Sequence, residues 1–122
     1  MSRIEKDEAR EQRIIYEIVV DAYDYEERAM GWYYYLEEAL GTGFQAICCN
    51  EREISPLAVG EKVKVLGMAS MDECHHEMFA LIQWTKRVLG VPLSQLNFLN
   101  GDDDCQQAVE DWHYWTNRGY SF

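Results

Sequence analysis

The chain changes period at Gly41. Upstream, "DYEERAMGWYYYLEEAL" from Asp24 to Leu40 sets Ala29, Met30, Tyr33, Leu36 and Leu40 at helical spacing, one apolar stripe facing a core. Asp24 and Glu27 stand at capping-box spacing and Gly41 suits a helix stop, so both ends of this helix are marked. Downstream, "FQAICCNE" (Phe44 to Glu51), "EKVKVLGMA" (Glu61 to Ala69), "EMFALIQW" (Glu77 to Trp84) and "RVLGVPLSQLNFL" (Arg87 to Leu99) are short, β-rich and separated by turn-prone pieces. Helices followed by a meander of four or five strands are expected.

Met78, Ala80, Ile82 and Trp84 alternate with Phe79 and Leu81, so both faces of the third run are apolar and need cover. Helices on either side of the strands supply it. The first, from Arg3 to about Ala22, carries Ile4, Ile14, Ile15, Ile18, Val19 and Ala22. The last begins within Asp102 to Asp104 and ends at Arg118 before Gly119, with Cys105, Ala108, Val109, Trp112 and Trp115 as its stripe. Asp104 and Gln107 stand as a capping box. Pro92, near the end of the strand region, occupies a place where a missing amide hydrogen is tolerable. The expected fold is α+β: a small SH3-like β-barrel of four to five strands covered by N-terminal helices and one C-terminal helix. A length of 122 residues fits one domain, with helices over about 3–40, the barrel over about 44–99 and the last helix over about 103–118.

Charge narrows the function. With 22 acidic and 11 basic side chains the net charge is -11, which repels phosphate backbones and anionic lipid surfaces. No nucleic-acid or membrane partner is expected; cations, or a basic protein, are the natural partners. The aromatic strings "GWYYY" and "DWHYW" therefore read as helix packing rather than base stacking. "MSRIEKDEAR" at the start is charged and lacks an apolar run, so neither signal peptide nor anchor is expected and the location is read as cytoplasmic. Cys48 and Cys49 are adjacent and point to opposite faces of an extended chain, so the four cysteines read as reduced thiols.

Three acidic groups lie on element ends or loops. Glu37 and Glu38 occupy the last turn of the second helix, at its negative pole, with no Lys or Arg four residues away to offset them. Asp72 and Glu73, followed by Glu77, fall in the loop between the second and third strand runs. The triplet Asp102, Asp103 and Asp104 opens the last helix, where one carboxylate serves as a cap and two remain. Ca²⁺ takes six to eight oxygens and tolerates irregular geometry, so carboxylates from separate segments suit it. The metal candidates are Glu38 first, then Glu37, Asp72, Glu73 and Asp103.

Other chemistries find less support. No EF-hand loop occurs, because "NGDDDC" has its glycine before the acids. Neither "CC" nor "CHH" gives two ligands that converge on zinc. Nucleophile elbow, phosphate-binding loop and H-E-x-x-H are all absent, and Cys105 and His113 lie about two helical turns apart. An enzyme is not expected.

"IIYEIVVDAY", "GWYYYLEEAL", "SPLAVGEKVKVLGMA", "VPLSQL" and "AVEDWHYWTNRGYSF" together make the chain, from about Arg13 to Phe122, resemble the small acidic prokaryotic calcium-binding proteins of the cyanobacterial type. The resemblance implies a cytoplasmic protein that binds Ca²⁺ without EF-hands and buffers or sequesters it; the five candidates above rest on charge placement alone. One departure stands out: Gly41, Thr42, Gly43 and Phe44 replace a Pro-Phe pair expected after the second helix, which loosens the loop beside Glu37 and Glu38. A monomer is expected. The rival reading is an acidic interaction module that docks a basic partner, with metal incidental.

Overall fold

The computed structural model describes residues 7–19, 22, 24–41, 43–119 and 122. Three helices and five strands follow in the order α1 (Glu8–Glu17), α2 (Tyr25–Leu40), β1 (Phe44–Cys48), β2 (Lys62–Met68), β3 (Phe79–Trp84), β4 (Arg87–Pro92), β5 (Leu96–Asn100) and α3 (Asp103–Asn117). Two 3-10 turns, Met71–Cys74 and Leu93–Gln95, link β2 to β3 and β4 to β5. Among the described residues no helix is long and apolar enough to cross a membrane.

Each helix is opened by an aspartate whose side chain accepts the amide of the residue three places on: Asp7 from Arg10, Asp24 from Glu27 and Asp102 from Cys105. The last of these corrects the expected box at Asp104, which lies inside the first turn of α3. Helix α1 is shorter than expected, ending at Glu17, and Ile4 lies outside the described residues. Its stripe is also narrower: Ile14, Ile18 and Val19 are buried, whereas Ile15 is 41% exposed. In α2, Tyr33, Leu36 and Leu40 of the expected stripe are buried, but its other members shift. Trp32 is fully buried and Met30 is 39% exposed, because the α2 face that meets α3 differs from the one that meets the sheet.

The sheet is antiparallel throughout, in the order β4-β3-β2-β1-β5. Strand β2 shifts register between Val65 and Gly67 where it pairs β3, an extra residue that bends the strand. The run Arg87 to Leu99 is broken in two: Pro92 has no amide to extend the β3 ladder, the Leu93–Gln95 turn redirects the chain, and β5 pairs β1 instead. Among the described residues no ladder joins β4 to β5, so the expected SH3-like barrel is met only as far as a five-stranded antiparallel sheet that does not close. On β3, Ala80 and Ile82 are fully buried while Phe79, Leu81 and Trp84 are half-buried, so the second face is only partly covered.

Helices α2 and α3 lie antiparallel over the sheet. Arg28 sits over Trp115, the Trp32 ring meets Trp112 edge-on at 5.0 Å, and the Cys105 thiol donates to the Ala39 carbonyl at 2.9 Å. Helix α1 is fastened to this pair by two buried acids that the apolar pattern did not mark. Asp111 is wholly buried; one oxygen accepts from Arg13 and the other from the Tyr35 hydroxyl at 2.7 Å. Its carboxylate pulls the Arg13 guanidinium well above the usual arginine range. Glu11 accepts from the Tyr114 hydroxyl at 2.8 Å, with Arg118 at 3.8 Å.

Gly43 is required where the chain leaves α2 for β1. Its φ is +79°, and a Cβ there would stand 2.8 Å from the Val65 carbonyl oxygen.

Candidate metal site

The antiparallel pairing brings the last turn of α2 against the first turn of α3. A cavity of about 390 Å³ opens there, lined by Tyr35, Glu38, Ala39, Asp102, Asp104 and Gln107. Its donors are all hard oxygens: three carboxylates and the amide oxygen of Gln107. That set suits Ca²⁺ rather than a thiolate- or imidazole-seeking metal. The floor is fixed by neutral groups. The Tyr35 hydroxyl donates to Asp111, and burial first, then that hydrogen bond, pushes its phenol up to about 12, so it brings no charge to the site.

Charge in the cavity is poorly offset. The last turn of α2 contains no basic residue, so Glu38 sits at the negative pole of its own helix. The positive pole of α3 lies opposite, yet its first turn already carries Asp103 and Asp104 beside the capping Asp102. Arg10 pairs with Glu110 and Asp111, Arg13 with Asp111, Arg52 with Glu77 and Arg118 with Glu11, and none of these pairs reaches Glu38, Asp103 or Asp104. No three His, Cys, Asp or Glu side chains among the described residues are already drawn close enough to hold a metal. The cavity is an open acidic cup.

Of the five residues the sequence nominates, only Glu38 lines this cavity. Asp103 is exposed on the first residue of α3, next to two that do. Glu37 lies on a different flank of α2, beside Tyr33, whose phenol is pushed up to about 12 by burial first and then by the Glu37 carboxylate. Asp72 and Glu73 are exposed on the Met71–Cys74 turn, and a Glu73 oxygen stands 3.4 Å from where a Gly90 side chain would begin. The five therefore do not form one cluster. Glu77, in the same acidic loop, is engaged by the Arg52 fork at 2.8 and 3.0 Å and by Ser94 at 3.1 Å.

Asp102 and Asp104, which line the cavity with Glu38, are not among the five nominated residues. The triplet itself was the signal; what it lacked was the pairing of α2 with α3 that decides which acids of the two helix ends face each other.

Comparison with known proteins follows the same line. Residues 12–116 match a protein family described as calcium binding, of the CcbP type. The chain is similar to the crystal structure of Anabaena CcbP, with 43% identity, a TM-score of 0.85 and complete coverage (100%) of both chains. It is also similar to a calcium binding protein solved in its calcium-binding form, at 42% identity, a TM-score of 0.84 and again 100% of both chains. No curated protein matches.

Proposed function

The chain belongs to the calcium-binding CcbP family, and from that premise we propose that it takes up Ca²⁺ in the cup between α2 and α3, through Glu38, Asp102 and Asp104. The observation that carries this reading is the meeting of Glu38, stranded at a negative helix pole, with two aspartates from a segment more than sixty positions on. Repulsion among these anions keeps the cup open, and a divalent cation relieves it while accepting their oxygens. Asp103 adds charge at the rim. A cup that must close from irregular positions favours Ca²⁺ over Mg²⁺, which demands near-octahedral geometry and releases water reluctantly. The protein is a cytoplasmic, non-EF-hand buffer or sequestering protein, monomeric and without a catalytic role; its charge of -11 keeps it off nucleic acid and anionic membranes. The strand order, with a 3-10 turn between β4 and β5, supports reading the sheet as an SH3-like barrel with an open seam.

Calorimetric titration of chelator-stripped protein tests the site. Glu38→Gln with Asp104→Asn is expected to weaken Ca²⁺ binding by roughly tenfold or more, about 1.4 kcal/mol, with the far-ultraviolet circular dichroism unchanged. Wild-type affinity in that double variant would move the site elsewhere, with Asp72, Glu73 and Glu37 next in line.

A further inference from the structure

A second cavity lies on the opposite flank of α2. It measures about 370 Å³, and Tyr25, Ala29, Met30, Tyr33, Met71 and Cys74 make it a mainly apolar groove between the first half of α2 and the Met71–Cys74 turn. Tyr25 and Met30 stand open to solvent at 47% and 39% exposure, although the helix has a buried stripe a few residues away. Cys74 beside His75 and His76 could suggest a soft metal. The thiol is already engaged, however: it accepts from the Phe79 amide at 3.4 Å and faces the Phe79 carbonyl at 3.7 Å. Burial also pushes that thiol up, away from the thiolate a metal would need. Tyr33 is fixed in the floor by donating to the Ala69 carbonyl at 2.8 Å.

The charge around the groove selects its occupant. Glu26 lines it, Asp72 and Glu73 share the turn that supplies Met71 and Cys74, and Glu37 stands beside Tyr33. No Lys or Arg occurs between Lys64 and Lys86. Arg28, the only basic residue of α2, points away: its Nε donates to the Phe122 carbonyl at 2.9 Å and its guanidinium lies over Trp115. An apolar trough edged by acids and free of Lys and Arg, with His75 and His76 also in its lining, complements a helix with apolar anchors and a basic face, and methionine thioethers adapt to such anchors. We propose that this groove is a docking site for a basic amphipathic helical segment of a partner protein, which seats its apolar side chains between Met30 and Met71. The inference does not depend on the calcium reading.

Fluorescence anisotropy with a dansyl-labelled Lys/Leu peptide of about 18 residues, its leucines at helical i, i+3, i+4, i+7 spacing, tests it at about 0.15 M NaCl. The full chain is expected to bind this peptide at least about tenfold more tightly than a shuffled peptide of equal charge. Met30→Glu, and separately Tyr25→Ser, should remove that preference, while Val88→Glu on the exposed edge of β4 leaves it intact. Calcium affinity should be unchanged in the groove variants, which separates this outcome from failure of the metal site. Equal binding of both peptides would reduce the effect to net charge and overturn the proposal, as would wild-type binding by both groove variants. A dimer in sedimentation that Met30→Glu dissolves would give the groove to a second copy and overturn it equally.

Discussion

His113 shows how far a residue's neighbours can override its letter in the sequence. Between Trp112 and Tyr114 it reads as one more aromatic of the helix face; in the structure its Nε2 meets the Leu96 carbonyl at 2.5 Å, so the ring is a neutral donor tying α3 to β5. Burial lowers its affinity for a proton, and the Leu96 carbonyl and Glu110 only partly counter this. The unfolded chain therefore binds a proton at a higher pH than the folded one, near the ordinary value of about 6.5. The stabilisation is complete above that value and is lost as pH falls below it toward the folded value. Urea titrations from pH 7.5 to 5 should show wild-type stability falling more steeply than that of His113→Gln, whose amide can keep the bond without titrating. Parallel slopes would mean the ring is already solvated. The same blindness hid Asp111 and Glu11, since an acid in a string of letters reads as solvent-facing until the arginine or tyrosine that buries it is known.

At the scale of elements, more was legible, because the rules that end helices and strands are local. Asp24, Gly41, the α3 stripe and the four β-rich runs all carry their signals within a few residues, and the structure places elements there. Two things were not local. The split of Arg87 to Leu99 depends on β5 finding β1, and the orientation of α2 depends on Trp32 finding Trp112. Asp111 is where three helices are tied together, through Arg13 and Arg10 of α1 and Tyr35 of α2. Removing one partner of a buried ion pair costs about 3–5 kcal/mol, and Asp111→Asn should fall at the low end because the arginines reach solvent. Chemical denaturation of Asp111→Asn, alone and combined with Tyr35→Phe, measures it. The combined loss should be less than the sum of the two, since Asp111→Asn already weakens, by removing the charge, the hydrogen bond that Tyr35→Phe deletes.

For the molecule as a whole, an excess of eleven negative charges is a standing electrostatic strain. Lys and Arg are half as numerous as Asp and Glu, and several of them are drawn into pairs with Asp111, Glu11 and Glu77 rather than with Glu38 or Asp104. The sign of the Glu38 effect should consequently depend on calcium. Without metal, Glu38→Gln removes an anion from a negative helix pole and from the neighbourhood of Asp104, so the apo protein should become more stable by roughly 0.3–1 kcal/mol. With Ca²⁺ at about 100 times its dissociation constant the wild type gains about 2.7 kcal/mol, and a tenfold weaker variant should gain only about 1.4 kcal/mol at the same Ca²⁺ concentration. Sodium chloride raised from about 0.01 to 0.15 M shortens the screening length from about 30 to 8 Å. That should lift apo wild type more than apo Glu38→Gln, while a Ca²⁺ addition of negligible ionic strength lifts the wild type more than the variant. Thermal melts of both proteins under the three conditions separate a bound ion from diffuse screening: if salt reproduced the whole calcium effect, the cup would be an acidic surface and not a site.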